Sequence, residues 1–278
     1  MAAHGSRIVI YAALAGNLAI AATKFAASWY TGSSAMLSEA IHSLVDTSNQ
    51  VLLLFGLRRA ARPATANHPF GHGMEIYFWA FVVALMIFAL GGTMSIYEGV
   101  ARLREPAPMT SPWVNFAVLG ASILIESLSL RVAWKGLRER NPDGSALSAV
   151  QGSKDPGIFA IFCEDFAALA GLALALVGIT LAVVLDMPVF DGIASIAIGI
   201  VLILTSGFLA RETLSLMTGE SASKEVLAEA RQVLVSDGRV LAVEDILSMH
   251  LGPDDVLVAV SIDFRDDMTS DAIEQAVH

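Results

Sequence analysis

Six stretches of the chain run for a membrane-crossing length with few charges, at roughly 8–30, 34–57, 76–101, 112–134, 157–185 and 190–209. About 20 mostly apolar residues are what an α-helix needs to cross the hydrocarbon of a bilayer, so this pattern predicts an α-helical membrane protein of six transmembrane helices. The first stretch is too long, and lacks the small-residue cleavage pattern, to read as a removable signal peptide. It counts as a mature span.

After Ala210 the pattern changes. In "SASKEVLAEARQVLVSD" a serine cap precedes Val226, Ala230, Val233 and Leu234 at helical spacing. "DVLVAVSIDF" alternates instead, placing Val256, Val258, Val260, Ile262 and Phe264 on one face, and "VLAVEDILSMHL" reads as its hairpin partner through "GPDD". Thr269 or Ser270 then caps a last helix in "TSDAIEQAVH". The expected organisation is a transmembrane domain over 1–210 and a small α+β domain over 211–278, one whose last element is expected to continue beyond His278.

Composition agrees with the membrane reading, at 55% hydrophobic and 16% charged. Charge adds a division. Residues 1–211 hold 13 acidic and 13 basic side chains and residues 212–278 hold 14 and 4, so the net charge of −10 belongs to the tail. An acidic tail argues against nucleic acid and against anchoring on anionic lipid. Arg7, Arg58, Arg59, Arg62, Lys135, Arg138, Arg140, Lys154 and Arg211 flank the spans on one side, whereas Arg102 and Arg104 are the basic residues of the opposite loops. Both termini are therefore expected in the cytoplasm. The opposite loops are short, and the longest connection on the cytoplasmic side, "RERNPDGSALSAVQGSKDPG" at 138–157, reads as flexible. One cysteine, Cys163, excludes an intrachain disulfide and a multi-cysteine zinc site.

The second span carries Glu39, His42, Asp46, Asn49 and Gln50. An ionised residue at mid-membrane costs about 2.5–3.5 kcal/mol on insertion scales, so it calls for a partner, water or a function. His42 and Asp46 are four apart and share a helix face, with Glu39 and Asn49 close to the same stripe. The fifth span carries Glu164 and Asp165, which lie 100° apart on a helix and so are not expected to face one site equally well. The face of Glu164 is small (Ala160, Ala167, Ala168, Gly171), which suits close packing. One imidazole with carboxylates from two helices is an N/O donor set suited to zinc or manganese rather than copper(I). Glu126 in the fourth span is a third buried acid that completes the site, accepts a proton, or pairs with Lys24 or Arg131. Lys24 itself reads either as a counter-ion or as a snorkelling side chain. His68 and His72, four apart in the loop "ANHPFGHGMEIYFWA", are either metal ligands or solvated imidazoles of a helix-entry turn. His250 and Glu244 in the tail could also bind metal, although one isolated imidazole in a strand is more often structural.

These features together resemble the cation diffusion facilitator (zinc transporter) family: "KFAASWYTGSSAMLSEAIHSLVD" across the first two spans, "HPFGHG" directly before the third, an acid in the fifth and "DGIASIAIGIVLI" opening the sixth. The resemblance implies a homodimer of six-span protomers with ferredoxin-like cytoplasmic domains, in the inner membrane of a bacterium. It would exchange a divalent metal ion, Zn2+ first, for protons by alternating access. It also implies a transport site with two ligands from the second span, matched by His42 and Asp46, and two from the fifth. Of the latter pair Asp165 matches one, while the other falls on Ile161, which cannot bind metal. Glu164, Glu126, Asn49 or water would then fill that position, and the arrangement is nearest the branch with HxxxD in the second span and ED in the fifth. In the loop site of the family an aspartate precedes the histidines where Thr65 stands, and Glu244 and Ser261 replace imidazoles often found in the tail.

Proton-coupled export from the cytosol is thus the leading reading, because metal and proton compete for the same lone pairs. A dimeric metal sensor or scaffold that does not transport is the alternative, as is transport of manganese, iron or cobalt. An intramembrane hydrolase is disfavoured, since His42 and Asp46 have no nucleophile motif beside them.

Overall fold

A computed structural model describes residues 2–106, 110–140, 156–253 and 255–277, with the side chains of residues 2–16, 133, 136–140 and 158 excepted. The chain folds as a helical bundle followed by a two-stranded sheet flanked by helices. In order come α1 (Ala2–Thr31), α2 (Ser34–Ala60), α3 (Glu75–Met86), a π-helical segment (Ile87–Gly92), α4 (Thr93–Arg104), α5 (Pro112–Arg140), α6 (Pro156–Val184) and α7 (Val189–Met217). The tail adds α8 (Lys224–Ser236), β1 (Val240–His250), β2 (Val256–Phe264) and α9 (Ser270–Val277).

Among the described residues four helical stretches are both long and apolar enough to cross a membrane: Glu75–Arg104, Pro112–Val132, Phe159–Val184 and Val189–Met217. The helix α2 is as long as these but is diluted by its polar stripe, the feature that makes it interesting. Most of the expected connection at 138–157 lies outside the described residues. Its two ends are helical instead of loop, closing α5 and opening α6.

Local chemistry explains the boundaries. Gly32 turns the chain between α1 and α2 at a positive φ of 69°, where a side chain would be strained. Ser33 then caps α2, its hydroxyl accepting from the Met36 amide. The last bundle helix continues two turns beyond the apolar window that ends at 209. Its buried stripe of Leu202, Ser206, Leu209, Thr213 and Leu216 keeps helical spacing after hydropathy has fallen.

The core lies where α2, α3, α6 and α7 meet, around Met36, Val45, Tyr77, Ile87, Leu172, Ile198 and Leu202. Contact between α4 and α7 rests on paired glycines. A Cβ on Gly199 would sit 2.7 Å from the Gly92 carbonyl oxygen, and one on Gly99 would sit 2.7 Å from that of Gly192. Gly92 at the end of the π-helical segment and Gly99 on α4 meet Gly199 and Gly192 on the antiparallel α7, two turns apart on each. Small residues let the backbones approach, the usual device where lipid gives no hydrophobic drive to helix association. The π-helical segment, which periodicity did not suggest, falls at the start of this contact, where Gly91 and Gly92 press against Leu202 and Ile203.

In the tail the hairpin forms as expected. Antiparallel pairing runs from Val240 opposite Phe264 to His250 opposite Val256, with irregularities after Val240 and Val243. Ser223 caps α8 by accepting from the Val226 amide, and the Thr269 hydroxyl accepts from Ala272 at the start of α9. The expected apolar stripe of α8 is not covered in the single chain, since Val226 and Val233 are exposed. The loop before α3 meets the tail: a Cβ on Gly73 would touch the Leu251 carbonyl, and its next neighbour would be Gly252 Cα at 3.2 Å.

Candidate metal site

The polar stripe of α2 faces inward along its length. His42 and Asn49 are at most 1% exposed, and Asp46 is largely covered. His42 Nδ1 lies 3.4 Å from Asp46 Oδ1, poorly aligned for a hydrogen bond, so both imidazole nitrogens are buried without a hydrogen-bond partner among the described residues. A buried polar atom left in this way costs about 1–3 kcal/mol, which makes it a candidate ligand position rather than packing.

From the other side α6 contributes both acids. Asn49 Nδ2 donates to Glu164 Oε1 at 2.9 Å, and Ser129 Oγ, on α5, donates to Asp165 Oδ2 at 2.7 Å. The two adjacent acids thus turn to different partners, as their 100° separation on a helix implies. Glu164 turns toward α2 and Asp165 toward α5, and the space between those two helices is a single cavity of about 30 Å³ that both reach. Asp46, Glu126, Gln50, Asn17 and Ser43 also line it. The cavity is thus walled by four carboxylates from α2, α5 and α6, with His42 just behind Asp46. Among the described residues no three His, Cys, Asp or Glu side chains converge tightly enough to hold a metal ion as they stand.

Of the two readings for Lys24, the structure takes the counter-ion. Its Nζ is fully buried and donates to Glu39 Oε2 at 3.2 Å and to Ser43 Oγ at 2.7 Å. Snorkelling is ruled out because the ammonium points across to α2 rather than along α1 to an interface. The small face of Glu164 packs as expected, with Ala160, Ala167 and Ala168 buried. Ile161 is 37% exposed and lines no part of the cavity.

The loop histidines lie apart from this cavity. Their rings are 4.3 Å apart between centroids, His72 Nδ1 sits 3.1 Å from Glu75 Oε1, and Arg59 holds the same carboxylate from α2 with donations of 2.6 and 3.2 Å. In the tail His250 is buried with Nδ1 3.3 Å from the Gly252 carbonyl, and Ser261 donates to Glu244 at 3.1 Å.

One important residue escaped the sequence reading. Asp191, in the first turn of α7, is fully buried and accepts from Ser33 Oγ at 2.5 Å, Ser34 N at 2.6 Å, Ser34 Oγ at 2.9 Å and Ala35 N at 3.3 Å. Arg102 Nε approaches it to 3.6 Å while Arg102 Nη2 donates to the Gly32 carbonyl. A carboxylate placed against the amino end of α2 satisfies amides that the helix cannot. It thereby fixes the far end of the site-bearing helix to α7. The signal was present in "DGIASIAIGIVLI", where an acid opens an otherwise apolar span.

Comparison with known proteins gives a consistent picture. Residues 10–218 match the family described as the cation efflux transmembrane domain. The chain is 33% identical over 244 residues to the human protein named proton-coupled zinc antiporter SLC30A9, mitochondrial, covering 87% of this chain and 43% of that protein. To metal tolerance protein C4 of Arabidopsis thaliana it is 30% identical over 267 residues, covering 95% of this chain and 58% of the relative. To magnetosome protein MamB of Magnetospira it is 26% identical over 253 residues, 89% and 81% of the two chains. The chain therefore spans about half the length of the first two of these relatives.

Proposed function

This chain belongs to the cation efflux family, a family of multi-pass membrane transporters rather than enzymes, and we propose that it exchanges a divalent metal ion, zinc in the first place, for protons. Three observations support the substrate and mechanism: the carboxylates gathered on one small cavity, the unpartnered nitrogens of His42 behind them, and a relative named a proton-coupled zinc antiporter. The first of these carries the reading.

In the proposed cycle His42, Asp46, Glu164 and Asp165 move together on the ion, with Glu126 completing its charge balance and Asn49 and Ser129 steering Glu164 and Asp165. Zinc accepts imidazole and carboxylate donors at about 2.0–2.2 Å, closer than these groups now stand, so binding requires α2 and α6 to draw in. Protons arriving from the other side displace the ion by taking the same lone pairs. Glu164 then supplies what Ile161 cannot.

Six membrane spans, a ferredoxin-like tail, cytoplasmic termini, a bacterial inner-membrane location, export from the cytosol and a homodimer belong to the same proposal. The test is zinc uptake by inverted vesicles with and without a pH gradient. Uptake should need the gradient and should fall at least about tenfold in Asp46→Asn and Asp165→Asn, the scale of losing a ligand or its orientation. Full transport by either variant overturns the site.

A further inference from the structure

The polar groups inside the bundle do not stop at the cavity. Toward the end opposite the tail, α2 continues with Ser38, whose hydroxyl is 2.5 Å from that of Ser195 on α7, and Ser195 Oγ donates to the Ser95 carbonyl of α4 at 2.8 Å. One turn further are Ser33, Ser34 and Asp191. Ser33 and Ser34 line a second cavity of about 460 Å³ that opens at that end beside Glu98, Arg102 and Glu105. Two cavities therefore lie along α2, one walled by carboxylates and one of mixed lining that opens at the far surface.

Between them stands the fully buried Lys24 and Glu39 pair. Ser43, one partner of Lys24, lines the carboxylate cavity, whereas Lys24 and Glu39 line neither compartment. The other oxygen of Glu39, Oε1, is buried without a hydrogen-bond partner among the described residues, and it abuts Gly171 of α6, where any Cβ would collide with it. A structural role does not require such a pair. Replacing a buried ion pair by apolar side chains of similar volume is often neutral or stabilising, so its presence on the route asks for another reason.

We propose that Lys24 is the charged gate that closes the metal cavity toward the far end of the bundle, with Glu39 as the carboxylate that receives the ion once Lys24 swings aside. A divalent cation leaving Asp46 along α2 meets a fixed ammonium, and like charges in a low-dielectric interior repel strongly. Glu39 serves in both states. It holds the ammonium while the gate is shut, and it offers Oε1 and the released Oε2 to the ion when the gate opens. Gly171 provides the space that lets its carboxylate sit there.

The inference rests on the transport reading above, and two measurements keep the two separable. In proteoliposomes Lys24→Met should pass zinc without a pH gradient at least about tenfold faster than wild type, since the barrier removed is one of charge. Lys24→Arg, which keeps the charge, should restore gradient dependence. The second measurement needs no transport: Ser38→Cys in a Cys163→Ala background, exposed to a small cationic thiol reagent from the tail side. Labelling should be slow with Lys24 present and at least about tenfold faster with Lys24→Met. A Lys24→Met protein that elutes and melts like wild type, keeps the wild-type ratio of gradient-free to gradient-driven flux and leaves Ser38→Cys equally protected overturns the gate. Wild-type protein that moves no zinc under either condition overturns the proposed function instead, and the labelling result then decides the gate by itself.

Discussion

Replacing Asp191 by alanine tests how the site-bearing helix is held. Asp191 accepts four hydrogen bonds, from Ser33, both polar groups of Ser34 and the Ala35 amide, and Arg102 approaches it at 3.6 Å. Inside a membrane protein a hydrogen bond contributes about 0.6 kcal/mol on average and about 1.7 at most, so four amount to roughly 2–3 kcal/mol. Leaving the partly covered Arg102 charge without its acid sets an upper figure of about 3–5 kcal/mol, the cost of breaking a buried pair. The expected loss for Asp191→Ala is therefore about 2–5 kcal/mol. Reversible unfolding of the purified protein in mixed micelles measures it, and a double-mutant cycle of Asp191→Asn with Arg102→Gln isolates the ion pair, at about 0.5–3 kcal/mol. A loss below about 1 kcal/mol for Asp191→Ala would show that this cluster does not anchor α2 and α7, whatever its hydrogen bonds.

Other outcomes follow from the same geometry. Ser129→Ala removes the hydroxyl that orients Asp165, and zinc affinity by calorimetry should fall about tenfold while the melting curve stays near wild type. Gly199→Leu places a side chain against the Gly92 carbonyl and should prevent accumulation of folded protein, whereas Gly207→Leu, with open space at that position, should be tolerated. In the tail, the Arg239 guanidinium beside Asp237 holds its carboxyl down to about 2. The carboxyl resonance should titrate there and move up toward about 3.9 in Arg239→Gln. Because the folded value lies below the unfolded one, the small stability this pair gives is present above the unfolded value and lost as pH falls through the folded one.

Helices were legible because each apolar run is long and each is bounded by a cap, a glycine turn or a charge cluster. The caps at Ser223 and Thr269 were readable as such. The stripe of α2 was legible for the opposite reason, since polar residues stand out where lipid excludes them. What periodicity hides is the direction in which a side chain turns between two neighbours. Glu164 and Asp165 are 100° apart on their helix, and only the cavity lined by α1, α2, α5 and α6 shows that both reach one space. Lys24 was ambiguous for the same cause, because its partner Glu39 lies on another helix. The π-helical segment and the glycine contacts of α4 and α7 left no distinct mark, as glycine in a membrane helix is common. Asp191 was visible as a residue, but its task, serving the amino end of a helix more than 150 positions away in sequence, is a tertiary fact.

The central claim is that the carboxylates around this cavity carry a metal ion against protons. Zinc flux into proteoliposomes, recorded with and without an imposed pH gradient for wild type, Asp46→Asn and Asp165→Asn, tests it most directly. Wild type should transport only with the gradient, and both variants should lose that transport while remaining folded. Tight zinc binding by wild type with no flux under either condition would contradict transport and favour a metal-sensing role for the same site.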